Sequence, residues 1–267
     1  MTDDQATGQA TKAELETSDD DFLSGQIKCL QPRNGFRAGV DTVMLAAACP
    51  AQEGEQVVEL GCGPGVAALC LASRTGAHVV GVEIEDESLD LANRNAQRNE
   101  LSKAVTFIKA DVTAKGSVLK DLGLEPESCD HAIGNPPFLP EGEATPPPGD
   151  VRARAFSGPA DLLAAWVKCA TRMVKPGGTL TFVHRADKLA DLLTALEGRA
   201  GGTKVYPLWP APRSSGKAAT RIIVQATKGS RAPLQILPGL ELHGRGGLIA
   251  DRAWDILRKG REINISG

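Results

Sequence analysis

The sequence predicts an α/β fold in which helices cover both faces of a mostly parallel sheet. From Glu55 onward, short apolar runs typical of strands alternate with segments of helical periodicity, a pattern typical of parallel strands joined by helices. The first run ends in a glycine-rich loop, where sheets of this kind commonly bind ligands. The chain has 267 residues, 42% of them apolar and 24% charged, a composition ordinary for a folded protein and a length that fits one large domain or two small ones.

Five predicted strands and four predicted helices make up this alternation. The strands cover 56–60, 78–83, 104–109, 129–134 and 179–184. The helices cover 66–74, 86–99, a shorter segment near Leu119, and 159–174. A short helix at 43–49 precedes them, because Asp41 and Thr42 are typical of a helix N-terminus and Pro50 ends the segment.

The C-terminal part departs from this alternation. A predicted helix at 186–199 is followed by two predicted strands, 204–208 and 219–226, and the segment between them is rich in Pro, Gly and Ser. Such a segment favours a hairpin. The sequence therefore predicts an antiparallel strand at the end of an otherwise parallel sheet.

Charge is distributed unevenly along the chain. Residues 1–21 contain seven acids and one base, so we expect a disordered acidic tail there and a single folded domain over 22–267. The remainder carries 29 bases and 26 acids, and no acid occurs between Glu197 and Glu241. Arg213 and Lys217 lie in the predicted hairpin turn of this acid-free stretch. This pattern is typical of a solvated face or of a surface that contacts nucleic acid.

The glycine-rich loop reads Glu59-Leu60-Gly61-Cys62-Gly63-Pro64-Gly65. Glycines allow a ligand to approach the backbone closely. A structural turn, a dinucleotide site and a phosphate loop are alternatives, but the dinucleotide spacing fails at Val66 and the Gly-Lys-Ser/Thr ending of a phosphate loop is missing. With Glu83 at the end of the next strand, the spacing fits a nucleoside without phosphates, and S-adenosylmethionine fits it best.

A second motif, Asn135-Pro136-Pro137-Phe138, directly follows the fourth predicted strand. It is either a simple strand-ending turn or a loop that faces the ligand site. In the second interpretation, the Asn135 amide oxygen and the Pro136 carbonyl each accept a hydrogen from a planar amino group. Pro137 shapes the loop, and Phe138 stacks on the conjugated ring that bears the amino group. Such a loop suits methyl transfer to nitrogen.

The cysteines and histidines do not indicate a metal site. The six cysteines form no C-x-x-C pair and lie in apolar stretches, where a buried thiol is the usual state. The four histidines are scattered without ligand spacing. No run of 18 apolar residues indicates a membrane span, and the polar start lacks the apolar core of a signal peptide, so we expect a cytoplasmic protein without a metal.

Together these motifs resemble the class I methyltransferases that modify exocyclic or amide nitrogen. The segment 30–41, which reads LQPRNGFRAGVD, and the later Leu242-His243-Gly244 resemble more narrowly the bacterial tRNA adenine-N6 methyltransferases that act on a valine tRNA beside its anticodon. The resemblance covers about residues 22–262. It implies a Rossmann-like, mostly parallel seven-stranded sheet with a C-terminal antiparallel hairpin, S-adenosylmethionine as cofactor, and tRNA as partner.

The resemblance also implies roles for individual residues. A segment over 22–54 closes the cofactor pocket through Arg37 and Asp41, and the catalytic core covers 55–267. In the same resemblance, the glycine-rich loop contacts the methionine part of the cofactor, Glu83 its ribose and Asp111 its adenine. Asn135 lies near the methyl group. The loop residues are Glu59, Gly61, Gly63 and Gly65. Asn135, Pro136 and Phe138 are the candidate catalytic residues, and Pro137 and Phe138 are candidate substrate contacts. The charge pattern, and not the resemblance, adds Arg213 and Lys217 as further candidate substrate contacts.

Other acceptors remain open. A protein glutamine is a planar, conjugated carboxamide that the same two oxygens can hold, and the N2 amino group of guanine in ribosomal RNA fits similarly. A nucleoside-binding module without catalysis is a further alternative, which the intact Asn135-Pro136-Pro137-Phe138 motif disfavours.

Overall fold

A computed structural model describes residues 16–34, 36–137 and 159–265. In these segments nine strands form one sheet: β3 (Gln56–Leu60), β4 (His78–Glu83), β5 (Val105–Lys109), β6 (Cys129–Gly134), β7 (Val174–Arg185), β8 (Ala200–Trp209), β9 (Arg221–Lys228), β10 (Gln235–Ile236) and β11 (Leu240–Glu241). Their spatial order is β10, β8, β9, β7, β6, β3, β4, β5, with β11 also beside β8. A separate two-stranded sheet pairs β1 (Thr17–Phe22) with β2 (Ile27–Pro32).

Five neighbouring strands of the large sheet run parallel, in the order β5, β4, β3, β6, β7. Their C-terminal ends therefore meet at one edge, which we call the carboxyl edge. Ligands of open α/β sheets bind in the crevice outside this edge. The predicted glycine-rich loop and the predicted Asn135 loop both begin here.

Helices pack on both faces of the sheet, as alternating buried side chains require. Val57 and Val79 join one core layer, whereas Val58 and Val82 join the other. The first layer includes residues of α1 (Val40–Ala48), α2 (Val66–Thr75), α3 (Asp86–Arg98) and α7 (Asp251–Lys259). The second includes residues of α4 (Gly116–Asp121), α5 (Pro159–Met173) and α6 (Leu189–Leu196).

The predicted C-terminal hairpin is confirmed. β9 pairs antiparallel with both β7 and β8, so β8 runs in the same direction as β7. The turn between β8 and β9 therefore lies at the carboxyl edge. Seven long strands match the sheet that the resemblance implies, and the two-residue strands β10 and β11 extend it beside β8.

The prediction of a disordered tail over 1–21 is wrong for residues 17–21, which belong to β1. Three consecutive aspartates lie in this strand, and cations from outside it compensate for the charge of two of them. Arg37 lies 2.6 Å from the Asp20 carboxylate, and Arg98 lies 2.7 Å from the Asp19 carboxylate. Local composition does not reveal such partners. Residues 1–15 lie outside the described segments.

Candidate active site

The glycine-rich loop connects β3 to α2 through three glycines with positive φ. Gly61, Gly63 and Gly65 have φ values of 61°, 54° and 83°, in the left-handed region that other residues rarely adopt. A side chain at Gly61 would overlap the Trp166 ring, and a Cβ at Gly65 would lie 2.6 Å from Phe107. At Gly63, in contrast, the nearest neighbour of an added Cβ is the Phe36 ring at 3.5 Å. Gly63 therefore faces the roomier side of the loop.

Hydrogen bonds within the loop and to the neighbouring strand β4 fix the glycine-rich loop. The Gly63 N–H donates to Glu83 Oε2 at 2.8 Å, and the Gly65 N–H donates to the Cys62 carbonyl at 2.9 Å. Glu83 also accepts the backbone N–H groups of Ile84 and Glu85 at 2.7 and 2.9 Å. The end of β4 thus orients the loop that follows β3.

Glu59 lies at the junction of the loop and α2. Its Oε2 accepts the Ala68 N–H at 2.8 Å, and the residue is 4% exposed. Burial raises the pKa of the Glu59 carboxyl to about 8; the Ala68 N–H opposes this and the nearby Glu83 charge adds to it. The structure places Glu59 as a support for the helix N-terminus, so its predicted contact with methionine stays a prediction.

Asp111 follows β5 at the carboxyl edge. Its Oδ1 accepts both the backbone N–H and the hydroxyl of Thr113, at 2.8 and 2.6 Å. These bonds fix the carboxylate in a turn beside the end of β4, where the Ala110 N–H donates to the Glu83 carbonyl at 2.9 Å. Asp111 and Glu83 are therefore neighbours along the edge.

Asn135 begins the loop after β6. Within the part of the chain that the structure describes, its buried Oδ1 atom has no hydrogen-bond partner. A buried acceptor without a partner is costly, so such an atom often marks a ligand site. Pro136 is buried and Pro137 is exposed. Phe138 and its predicted stacking role lie outside the described residues.

The four predicted contact points stand in one row along the carboxyl edge. In the strand order β5, β4, β3, β6 they are Asp111, Glu83, the glycine-rich loop and Asn135. Adjacent strands are ~4.8 Å apart, so the row is about 14 Å long. Two carboxylates, an open glycine backbone and an unpaired amide oxygen in this order fit a nucleoside with an extended polar arm.

Arg37 and Asp41 lie on the N-terminal side of the site, but each is engaged by protein. Arg37 donates to the Ser18 hydroxyl, the Pro32 carbonyl and the Asp20 carboxylate. Asp41, in the first turn of α1, accepts from Arg221 Nε at 2.8 Å. The structure thus gives both residues a role in holding the 36–41 segment, and their predicted contact with cofactor stays a prediction.

The turn between β8 and β9 carries Arg213 and Lys217 at the carboxyl edge. Both side chains are exposed, as predicted for this turn. Arg213 is partly neutralised, because its backbone N–H lies 2.8 Å and its Nε 3.5 Å from the Glu241 carboxylate. Sequence reasoning missed this partner, which belongs to β11.

Three neighbours of the glycine-rich loop were not among the predicted site residues: Phe36, which lies inside the 30–41 motif, and Asn95 and Trp166, which lie in no motif. Phe36 and Trp166 pack beside Gly63 and Gly61, and Asn95 donates to the Pro64 carbonyl. Among the described side chains, no group of three or more His, Cys, Asp or Glu residues is arranged for a metal ion. None of the helices in the described segments has both the length and the apolar character of a membrane span.

Comparison with known proteins identifies the family of this chain. The sequence profile of the family described as a methyltransferase domain matches residues 51–208. The tRNA1(Val) (adenine(37)-N6)-methyltransferase of Tolumonas auensis is 25% identical over 76% of this chain and 81% of its own length. The release factor glutamine methyltransferase of Caulobacter vibrioides is 30% identical over 66% of this chain and 60% of its own.

The structural comparison agrees with the sequence comparison. A crystal structure of a predicted O-methyltransferase from Agrobacterium tumefaciens has a TM-score of 0.69 and 26% identity, and the match covers 83% of this chain and 97% of that one. The profile match spans more than half of the chain and includes the glycine-rich loop and the Asn135 loop. The chain therefore belongs to the methyltransferase domain family and has the class I fold, with S-adenosylmethionine as its cofactor.

Proposed function

We propose that this protein methylates the exocyclic N6 of an adenine in tRNA. The observation that carries the proposal is the buried Asn135 Oδ1, which lacks a partner among the described residues and lies one strand from the glycine-rich loop. An amide oxygen in this place accepts a hydrogen from an amino group. The bound cofactor supplies an electrophilic methyl group.

The acceptor geometry follows from the chemistry of a conjugated amino group. Its lone pair is delocalised into the ring, so the nitrogen must be oriented before it can attack a methyl carbon. Asn135 Oδ1 and the Pro136 carbonyl, as two acceptors, hold the two N–H groups. Pro136 has no N–H, so the loop presents acceptors in preference to donors. The new nitrogen–carbon bond replaces the carbon–sulfur bond of the methyl donor, and the nitrogen releases one of its two protons to water. The chain provides orientation, and this mechanism needs no nucleophilic side chain.

In this proposal the cofactor contacts follow the row along the carboxyl edge. Asp111 holds the adenine amino group, Glu83 the ribose hydroxyls, and the glycine-rich loop the methionine part. Glu83 already accepts three backbone N–H groups, so its carboxylate is held in one orientation before the cofactor binds. Preorganised acceptors of this kind lower the cost of binding. Arg37 and Asp41 contribute by holding the 36–41 segment over the loop.

Two findings support tRNA as the substrate class. Relatives named tRNA1(Val) (adenine(37)-N6)-methyltransferase match this chain over most of their length, 81% for the Tolumonas auensis protein and 92% for that of Aeromonas hydrophila. The exposed Arg213 and Lys217 lie at the same edge as Asn135, where they can contact phosphates. Backbone contacts of this kind offset the cost of drawing a base out of its stack.

A protein glutamine is the second candidate acceptor. Relatives named release factor glutamine methyltransferase reach 33% identity in Mycobacterium leprae, although this chain spans only 53% of that protein. A carboxamide presents the same planar NH2 to Asn135 and Pro136. The smaller coverage of these relatives is why we rank this acceptor second.

Product analysis distinguishes the acceptors. Purified protein and methyl-labelled S-adenosylmethionine are incubated in three separate reactions with unmodified tRNA, ribosomal RNA or release factors. The products are digested and analysed by mass spectrometry. We expect labelled N6-methyladenosine from tRNA only. N5-methylglutamine from a release factor, or N2-methylguanosine from ribosomal RNA, would contradict the proposal and identify the actual acceptor.

Gly63→Val tests the cofactor loop. A branched side chain on the roomier side of the loop obstructs the ligand, so the affinity for S-adenosylmethionine falls at least tenfold, about 1.4 kcal/mol, by calorimetry. Gly54→Val is the matched control, because Gly54 also has positive φ, at +80°, has no atom within 4 Å of an added Cβ, and precedes β3 at the opposite edge. Both variants lose stability through backbone strain, and only the first loses affinity. Equal S-adenosylmethionine affinities in the two variants would show that the cofactor does not bind at this loop.

Asn135→Ala tests the acceptor contact. Loss of a preorganised group that acts mainly in the transition state lowers the rate by ~10²–10³, as for oxyanion-hole groups. Single-turnover kinetics at saturating substrate measure this rate, and calorimetry measures the cofactor affinity, which changes little. The exposed Asn93, in α3, provides the control variant Asn93→Ala, which retains the parent rate. A near-normal rate in Asn135→Ala would exclude this mechanism.

Replacing Arg213 and Lys217 together by Ala tests the contact with RNA. Each lost phosphate contact reduces the slope of log affinity against log salt by roughly 0.7–0.9, so tRNA binding weakens at low salt and its salt dependence flattens. Cofactor affinity stays the same. Lys103→Ala is the control, because Lys103 precedes β5 at the opposite edge of the sheet. An unchanged salt slope in the double variant would place the RNA elsewhere.

A further inference from the structure

Two asparagines, Asn95 in α3 and Asn99 at the C-terminal cap of α3, bind the backbone of β2 as a neighbouring strand would. Asn95 accepts the Leu30 N–H at 2.7 Å and donates to the Leu30 carbonyl at 3.0 Å. Asn99 accepts the Lys28 N–H at 2.9 Å and donates to the Lys28 carbonyl at 2.8 Å. The two side chains are four residues apart and so lie on the same face of the helix. Together they fix the β1–β2 hairpin to α3.

Asn95 differs from Asn99 in one contact. Its Nδ2 also donates to the Pro64 carbonyl at 2.9 Å, in the glycine-rich loop, and the residue is fully buried. The second donor bond of Asn99 goes to the Asn95 carbonyl within α3, at 2.7 Å. Of the two asparagines, only Asn95 thus connects the hairpin directly to the loop.

The hairpin in turn positions the segment beside Gly63. The buried Gln31 side chain accepts the Ala38 N–H at 2.7 Å and donates to the Ala38 carbonyl at 3.3 Å. Phe36 lies between these clamped positions, and its ring approaches Gly63. Asn95 is therefore hydrogen-bonded to the glycine-rich loop. Through Leu30 and the adjacent Gln31, it is also linked to the segment that contains Phe36 and lies beside this loop.

We propose that Asn95 is a positioning residue for cofactor binding. It holds the Pro64 carbonyl and the hairpin at a fixed separation, so the space between Gly63 and Phe36 is set before the cofactor enters. The inference rests on the glycine-rich loop being the S-adenosylmethionine site, and it does not depend on the identity of the methyl acceptor.

The test compares Asn95→Ala with Asn99→Ala. Both variants lose the two bonds to β2 and are expected to lower the melting temperature. Calorimetry should show a tenfold or greater loss of S-adenosylmethionine affinity in Asn95→Ala and a change of less than twofold in Asn99→Ala. Hydrogen exchange at residues 36–40 in the cofactor-free protein should be faster in Asn95→Ala than in Asn99→Ala. A purely structural role predicts that affinity is unchanged once each protein is folded.

The outcomes are distinct. Equal affinities in the two variants, or an unchanged affinity in Asn95→Ala, overturn the proposal. If Asn95→Ala does not fold, Asn95→Ser, which keeps one donor, is compared with Asn99→Ser; failure of both Asn95 variants to fold would make Asn95 a folding residue and the proposal wrong. Absence of binding in the parent protein would instead contradict the cofactor site itself.

Discussion

The hydrogen bond from the Gly63 N–H to the Glu83 carboxylate joins the two halves of the site. It connects the loop after β3 to the end of β4, and it needs both strands to end at the same height, as their parallel pairing ensures. Gly63 adopts a positive φ, and in this conformation its N–H points toward Glu83. Because glycine has no side chain, the roomier side of the loop stays open. The positions of Asp111 and Asn135, which follow the next strands on either side, depend on the same parallel register.

Much of the central sheet could be predicted because its strands are short apolar runs bounded by clear breaks. The predicted ends of β3, β4 and β6 agree with the structure. β8 begins at Ala200, before the predicted start at Lys204, because Gly201 and Gly202 give no strand signal. β1 was missed because its aspartates depend on Arg37 and Arg98, which lie far away in sequence. α7 was missed, although its buried Ala253 and Ile256 lie three residues apart, as on one face of a helix. The two strands β10 and β11 have only two residues each, which is too short for a periodic pattern.

Some residues of the site could likewise be predicted from the sequence, and others could not. Residues at the end of a strand or within two residues after it were predictable, because the strand end alone places them at the carboxyl edge; Glu83, Asp111 and Asn135 are of this kind. Glu59 shows the limit, since its carboxylate bonds to α2, and motif spacing does not distinguish a support from a ligand contact. Asn95 and Gln31 could not be found, because a buried amide acts through backbone partners that only the folded chain brings near.

The position of β9 between β7 and β8 affects the order in which the sheet can be completed during synthesis. β8 leaves the ribosome before β9, yet β8 has no hydrogen bonds to β7 and reaches the sheet only through β9. Until Lys228 has emerged, the nascent chain therefore presents an unpaired edge at β7, which is a hazard for association with other chains. The ion pair between Asp41 and Arg221, 180 residues apart, forms only at that late stage. Closure of the N-terminal segment is thus coupled to insertion of the last long strand of the sheet.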